Sequence, residues 1–321
     1  ETYGVSNEKT ALAITIANRE KALLQDLDYE NGYSLYVGIP FCPSICLYCS
    51  FGSHPLERWT KRVDEYLDTL CKELTFIREQ MGARKLTTVY IGGGTPTTLE
   101  PEQLRRLLSH IQETFDFTWV KEYTVEAGRP DSITREKLQV MKEFPVTRIS
   151  VNPQTMNQKT LDVIGRKHTM EDTVNIFHMA RELEFDNINM DLIIGLPGEG
   201  KEEVAHTLQV VEKLHPHSLT IHSLALKRAT RLNLFKDKYE EMSFENSKEI
   251  MEMTQQCAEN MGMGPYYLYR QKNIAGNFEN VGYAEVDKAG IYNILIMEEK
   301  QTILAAGAGA STKFVFEHGT R

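Results

Sequence analysis

The run Tyr36-Val-Gly-Ile-Pro-Phe-Cys42-Pro-Ser-Ile-Cys46-Leu-Tyr48-Cys49 decides how the rest of the chain is read. It starts in an apolar run, Ser34–Ile39, that predicts a strand ended by Pro40. Three cysteines then fall within eight residues, spaced C-x-x-x-C-x-x-C, which brings three thiolates together from one tight loop. A cubane holds four irons, and fully ligated electron-transfer clusters use four cysteines. Three leave one iron open. Zinc is the plain alternative, but zinc ligands come as C-x₂₋₄-C with a second pair elsewhere. Cys71 and Cys257 are isolated and read as buried core cysteines. The spacing, with Tyr48 just before the third cysteine, therefore favours a [4Fe–4S] cluster.

An open iron chelates a ligand that offers an amine and a carboxylate together. S-adenosylmethionine (SAM) carries both on its methionine end. Reduction of SAM by such a cluster breaks the S–C5′ bond and yields a 5′-deoxyadenosyl radical.

Moving outward, residues 8–27 predict an amphipathic helix, and Trp59–Met81 a long one with Val63, Leu67, Leu70 and Leu74 on one side. Strands are predicted at Thr87–Ile91, Glu122–Glu126, Arg148–Val151, Asn187–Ile194 and Ser218–Ala225. Helices are predicted between them at Pro101–Phe115, Thr134–Phe144, Glu171–Leu183 and Lys201–Leu214. Alternating strands and helices mean βα units and a parallel sheet, here a partial (β/α)6 TIM-like barrel with a C-terminal extension. In such barrels chemistry gathers at the carboxyl ends of the strands. Later, Phe244–Met261 predicts a helix, Gly264–Tyr283 an aromatic loop, and Ile291–Glu298 and Thr302–Ala306 strands. The expected organisation is an N-terminal helical segment over 1–33, a core over 34–235, and an addition over 236–321 that closes one side of the barrel. The missing initial Met and the end at Arg321 suggest a chain incomplete at one or both ends.

The 321 residues are 41% hydrophobic and 25% charged, ordinary for a globular protein. A net charge of −9 gives no support to a nucleic-acid partner. No apolar run approaches the ~20 residues that span a bilayer, and no secretory leader stands at the start, so the expected location is cytoplasmic.

Glycines Gly92-Gly93-Gly94, before Thr95, follow a strand and let backbone approach a ligand closely, with carbonyls to accept from an ammonium. Glu126 closes the third strand, where a carboxylate holds a ribose diol or is merely solvated. Asp191 lies in an apolar strand and needs a partner, such as Arg166 or a ligand.

Four runs now stand together: Tyr36…Cys49, Gly92-Gly-Gly-Thr-Pro-Thr, Arg148-Ile-Ser-Val-Asn-Pro-Gln154 and Asp191-Leu-Ile-Ile-Gly-Leu-Pro. They resemble the oxygen-independent coproporphyrinogen III oxidase (coproporphyrinogen dehydrogenase) family of the radical SAM superfamily. Pro265-Tyr-Tyr-Leu-Tyr-Arg-Gln-Lys-Asn273 and Asn277-Phe-Glu-Asn-Val-Gly-Tyr283 resemble its HemZ-type branch, whose members have an additional N-terminal region. The resemblance covers nearly the whole chain.

It implies that Cys42, Cys46 and Cys49 hold the cluster, and that Tyr36, Gly93, Gly94, Thr95, Glu126, Gln154, Arg166, Asp191 and Ala225 contact SAM. Gly307–Thr312 matches a returning strand near the cofactor. The implied reaction is oxidative decarboxylation of coproporphyrinogen III propionates to vinyls in heme biosynthesis, with flavodoxin or ferredoxin as reductant. A tetracarboxylate needs cations and phenols: Lys227, Arg231, Tyr267, Tyr269 and Arg270 first, then Arg129, Arg228 and Lys272. The family also contains heme chaperones and heme-opening methyltransferases. Dehydrogenase members usually have His at the position of Gly38, and Ser50-Phe51 is nearer the chaperone pattern. His217 and His222 are candidate heme-iron ligands.

Overall fold

The computed structural model describes residues 5–50, 54–225, 227–228, 230–234, 239, 244–271, 274, 276 and 278–316. The strands are β1 Gly32–Ile39, β2 Phe41–Cys42, β3 His54–Pro55, β4 Lys85–Gly93, β5 Glu122–Gly128, β6 Arg148–Val151, β7 Ile188–Ile194, β8 Ser218–Ser223, β9 Gly264–Tyr269, β10 Asn280–Ala284 and β11 Thr302–Ala306. The helices are α1 Asn7–Leu23, α2 Leu56–Trp59, α3 Val63–Met81, α4 Pro101–Thr114, α5 Arg135–Lys142, α6 Gln158–Val163, α7 Met170–Glu182, α8 Lys201–Leu214, α9 Arg231–Leu234, α10 Lys248–Asn260 and α11 Ile291–Met297.

Among the described residues nine strands form one sheet in the order β11-β1-β4-β5-β6-β7-β8-β10-β9. The six strands read from the sequence lie consecutively and parallel, as βα units require. Their helices bury one stripe each. In α3, Val63, Leu67, Leu70, Leu74 and Ile77 recur at helical spacing and are buried. At the start of α7, the Thr169 hydroxyl accepts from Asp172 N–H at 3.0 Å and the Asp172 carboxylate accepts from Thr169 N–H at 2.7 Å.

The strands are two-sided. Leu35, Val37, Val89, Ile91, Val125 and Ile149 join the helices in the main hydrophobic core. The alternate positions are polar: Thr88 and Tyr90, Glu122 to Glu126, Arg148 to Asn152, Asn189 and Asp191, Thr220 and His222. Ordinary (β/α) barrels fill this interior with branched apolar side chains. Here it contains a cavity of about 350 Å³.

Four expectations need correction. Gly264–Tyr283 is not a loop: β9 and β10 form an antiparallel ladder on β8, because alternating aromatics suit a half-buried strand. Ile291–Glu298 is the helix α11, with Tyr292, Ile294 and Leu295 buried and its first N–H groups held by the Glu122 carboxylate. A short apolar run fits either period, and this cap decides it. The C-terminal part does not close one side. It adds β10 and β9 beside β8 and places β11 parallel to β1, so it lines both edges of the sheet. Cys71 is half-buried rather than core, whereas Cys257 is buried. The short α6 was not anticipated. Residues 51, 236 and 272, which the sequence reading used, lie outside the described residues.

Candidate active site

The cysteine loop leaves β2 and has little regular structure of its own, so its neighbours shape it. Leu47 N–H donates to the Ile164 carbonyl at 2.9 Å, the Ser44 hydroxyl to the Gly165 carbonyl at 3.0 Å, and Leu232 N–H to the Leu47 carbonyl at 2.9 Å. From the other side, Gly94 N–H donates to the Ile39 carbonyl and Thr95 N–H to the Phe41 carbonyl, both at 2.7 Å. Gly93 has φ of +107°, which disfavours any side chain. The Thr95 hydroxyl points at Cys42 Sγ, 3.5 Å away. The three cysteines all line the cavity, Cys42 and Cys46 buried and Cys49 half-buried.

Around them stand Gly93, Gly94, Thr95, Glu126, Gln154, Arg166, Asp191 and Ala225. Burial, reinforced by the Asp191 charge and opposed by Arg148, pushes the Glu126 carboxyl up to about 8. Arg166 donates to the Asn152 carbonyl at 2.5 Å and to the Tyr48 hydroxyl at 3.1 Å. Asp191 is partnered by the Asn189 amide at 2.7 Å and approached by His222 Nε2 at 3.9 Å, not by Arg166 as expected. Gln154, at φ +70°, ties its backbone to Asp191 and Ile193 of β7.

Tyr36 does not line the cavity. It stacks on Tyr90 and Tyr292, with ring centroids 6.1 and 6.4 Å away. Of the substrate candidates, Lys227, Tyr267, Tyr269 and Arg129 line the cavity. The two tyrosine rings lie nearly parallel, at 3° and 6.3 Å. Arg228, Arg231 and Arg270 are exposed, and none lines the cavity. Arg129 is buried against the cysteine loop, bonded to Asp131 and Ser44. His217 is held by Arg181 and by Ile188 N–H, away from the cavity. His222 lines it, with Nδ1 3.1 Å from the Tyr269 hydroxyl. Gly307–Thr312 sits beside Gly38 and Tyr66 instead of at the cavity.

Arg148, Ser150, Asn152, Asn189 and Thr220 also line the wall, as do Asn293 and Met297 of α11, and none is among the residues expected there from the sequence. The period-two polar residues in Arg148-Ile-Ser-Val-Asn152 were the available signal.

The radical SAM superfamily profile matches residues 36–211. This chain belongs to the radical SAM superfamily. It is 45% identical over 317 residues to HemZ, an oxygen-independent coproporphyrinogen-III oxidase-like protein of Bacillus subtilis (strain 168), covering 98% of this chain and 63% of that protein. It is 37% identical over 198 residues to the heme chaperone HemW of the same organism, covering 61% of this chain and 52% of HemW. Its fold is similar to that of HemN, the coproporphyrinogen III oxidase of Escherichia coli, with TM-score 0.71 and 25% identity over 91% of this chain and 67% of HemN. The chain thus spans less than two thirds of HemZ and about half of HemW.

Membership and the HemN likeness imply a [4Fe–4S] cluster and SAM. The cavity fits both. Its rim carries the three thiols, and its wall carries buried polar atoms without a partner among the described residues: Ser150 Oγ, Asn152 Oδ1, Gln154 Oε1, Arg166 Nε and Arg148 Nε. Leaving such an atom unpaired costs about 1–3 kcal/mol, so a polar ligand is the expected partner. Among the described residues no helix is long and apolar enough to cross a membrane.

Proposed function

We propose that this radical SAM protein acts on a tetrapyrrole, converting propionates of coproporphyrinogen III to vinyl groups without oxygen. The observation that carries the proposal is the wall of Tyr267, Tyr269 and Lys227 across the same cavity that the three cysteines line. Parallel phenol rings beside a cation suit a flat macrocycle with a carboxylate rim. Likeness to HemZ over 98% of the chain supports it, since that span includes β9 and its tyrosines.

In this reading Cys42, Cys46 and Cys49 hold the cluster. The Gly93 and Gly94 backbone and Thr95 receive the SAM methionine end. Glu126 takes the ribose, Gln154, Arg166, Asp191 and Ala225 complete the pocket, and Tyr36 acts from behind Tyr90. When bound, the cluster and SAM would supply a carbon-centred radical able to take a hydrogen atom from the propionate β-carbon, and reaching the vinyl group would then require loss of carbon dioxide and of one electron to a one-electron acceptor such as an oxidised iron–sulfur protein. The chain's part is to orient the propionate and exclude water, and the half-buried ring of Tyr90 and the buried ring of Tyr267 serve that. A flavodoxin- or ferredoxin-type protein is the proposed reductant.

A second reading is heme carriage, as in HemW. Its observation is His222, an imidazole kept neutral by burial on the cavity wall. Gly38 leaves the choice open: a Cβ there would make ordinary contacts, 3.4 Å to the Ala306 carbonyl oxygen, so the backbone does not demand glycine. Anaerobic incubation of reconstituted protein with coproporphyrinogen III, SAM and a reductant separates the two. Vinyl product supports the oxidase. Its absence together with stoichiometric heme binding rejects the oxidase in favour of the carrier.

A further inference from the structure

Arg129 follows β5 and is 3% exposed. It lines the cavity, but its fork is spent on protein acceptors. Nε and Nη2 donate to the two Asp131 carboxylate oxygens at 2.9 and 2.6 Å. Nη1 donates to the Ser44 carbonyl at 3.0 Å and hydroxyl at 2.8 Å, and points at Cys46 Sγ, 3.6 Å away. A guanidinium has five N–H donors in a rigid plane, and this one gives most of them to protein acceptors, so it is poorly placed to take a substrate carboxylate.

We propose that Arg129 is a positioning residue for the iron–sulfur cluster, fixing the cysteine loop through Ser44 and raising the reduction potential through its bond to the Cys46 sulfur. Hydrogen bonds to cluster sulfurs and nearby positive charge favour the more negative, reduced cluster. Burial sharpens the effect, since a charge in a low-dielectric site is weakly screened. Asp131 has two roles. It orients the guanidinium plane so that Nη1 faces the loop, and its own charge offsets part of the arginine's. Ser44 is two residues from both Cys42 and Cys46, so one side chain sets the height of the loop and the electronics of a ligand in it.

The test uses anaerobically reconstituted protein, with iron and sulfide counted per chain and the midpoint potential read by a redox titration followed by electron paramagnetic resonance. Arg129→Gln removes the charge and lowers the midpoint. Arg129→Lys keeps the charge without the fork and falls between Gln and wild type. Asp131→Asn leaves the guanidinium and removes its counter-charge, so the midpoint moves up. Opposite signs for the two positions are what a purely structural role does not give. If Arg129→Gln fails to load iron, Asp131→Asn and Arg129→Lys still decide. Loaded variants with the wild-type midpoint, or midpoints that move the same way at both positions, overturn the proposal.

Discussion

Gly94 lies so close to the cysteine loop that a Cβ on it would stand 3.0 Å from the Cys42 sulfur and 2.5 Å from the Phe41 carbonyl oxygen. The glycine turn after β4 and the cysteine loop after β2 are therefore one packed unit. Replacing Gly94 with Ala forces the loop outward, at a cost of about 1–3 kcal/mol for overpacking. The expected result is a lower melting temperature and less than a full complement of iron per chain after reconstitution. Full loading at wild-type stability would show that the loop yields freely.

Glu126 gives a pH signature. Its folded carboxyl titrates near 8, against 4.5 unfolded, chiefly because of burial. Its contribution to stability is full below about 4.5 and is lost as pH rises through about 8, because the folded state holds the proton longer. Glu126→Gln does not titrate, so the variant gains on the wild type across that window. Urea denaturation of both cluster-free proteins at several pH values measures the difference. A constant difference would mean that Glu126 is solvated.

Glu122 links the barrel to the C-terminal helix. Its carboxylate accepts from Ile291 N–H at 2.5 Å and Tyr292 N–H at 3.4 Å. Glu122→Ala leaves those two donors and the Thr124 hydroxyl without their partner, and a loss of about 2–3 kcal/mol is expected. Faster amide exchange over α11, but not over α4, is the local readout. Uniform exchange across both would contradict the link.

The tyrosine wall is tested by binding. Tyr267→Ala with Tyr269→Ala weakens tetrapyrrole binding by about tenfold or more, given about 0.5–1.5 kcal/mol for each aromatic contact beyond its area. Arg231→Ala and Arg270→Ala, both exposed, change it by no more than about 0.5 kcal/mol. Fluorescence quenching of a porphyrin under anaerobic conditions reports both. The reverse ranking would move the substrate site to the surface cations.

Local chemistry made much of this protein readable. The C-x-x-x-C-x-x-C spacing is a property of a few consecutive residues, so the proposed cluster site needed no fold. The six core strands and the long helices also follow from short-range periodicity. Arg148–Val151 and Lys201–Leu214 have the same bounds in the sequence reading and in the structure. Where periodicity is short, sequence fails. Seven residues from Ile291 satisfy a strand or a helix equally, and a carboxylate 169 positions earlier decides between them.

Charge alone could not assign Arg129, Arg231 and Arg270. One is buried on the cysteine loop and two face water, although all three are arginines beside predicted strand ends or loops. The sequence by itself determined the three thiols, the glycine turn and the repeated βα order. The tertiary structure alone decided that β9, β10 and β11 flank both edges of the sheet, and that polar residues of β5, β6, β7 and β8 gather around one cavity. It also brought Arg129 and Arg166 to the Cys46 sulfur. The reason is physical: thiol spacing and helix period are set by neighbours in the chain, whereas burial and partnership of a charge depend on residues brought together from distant strands.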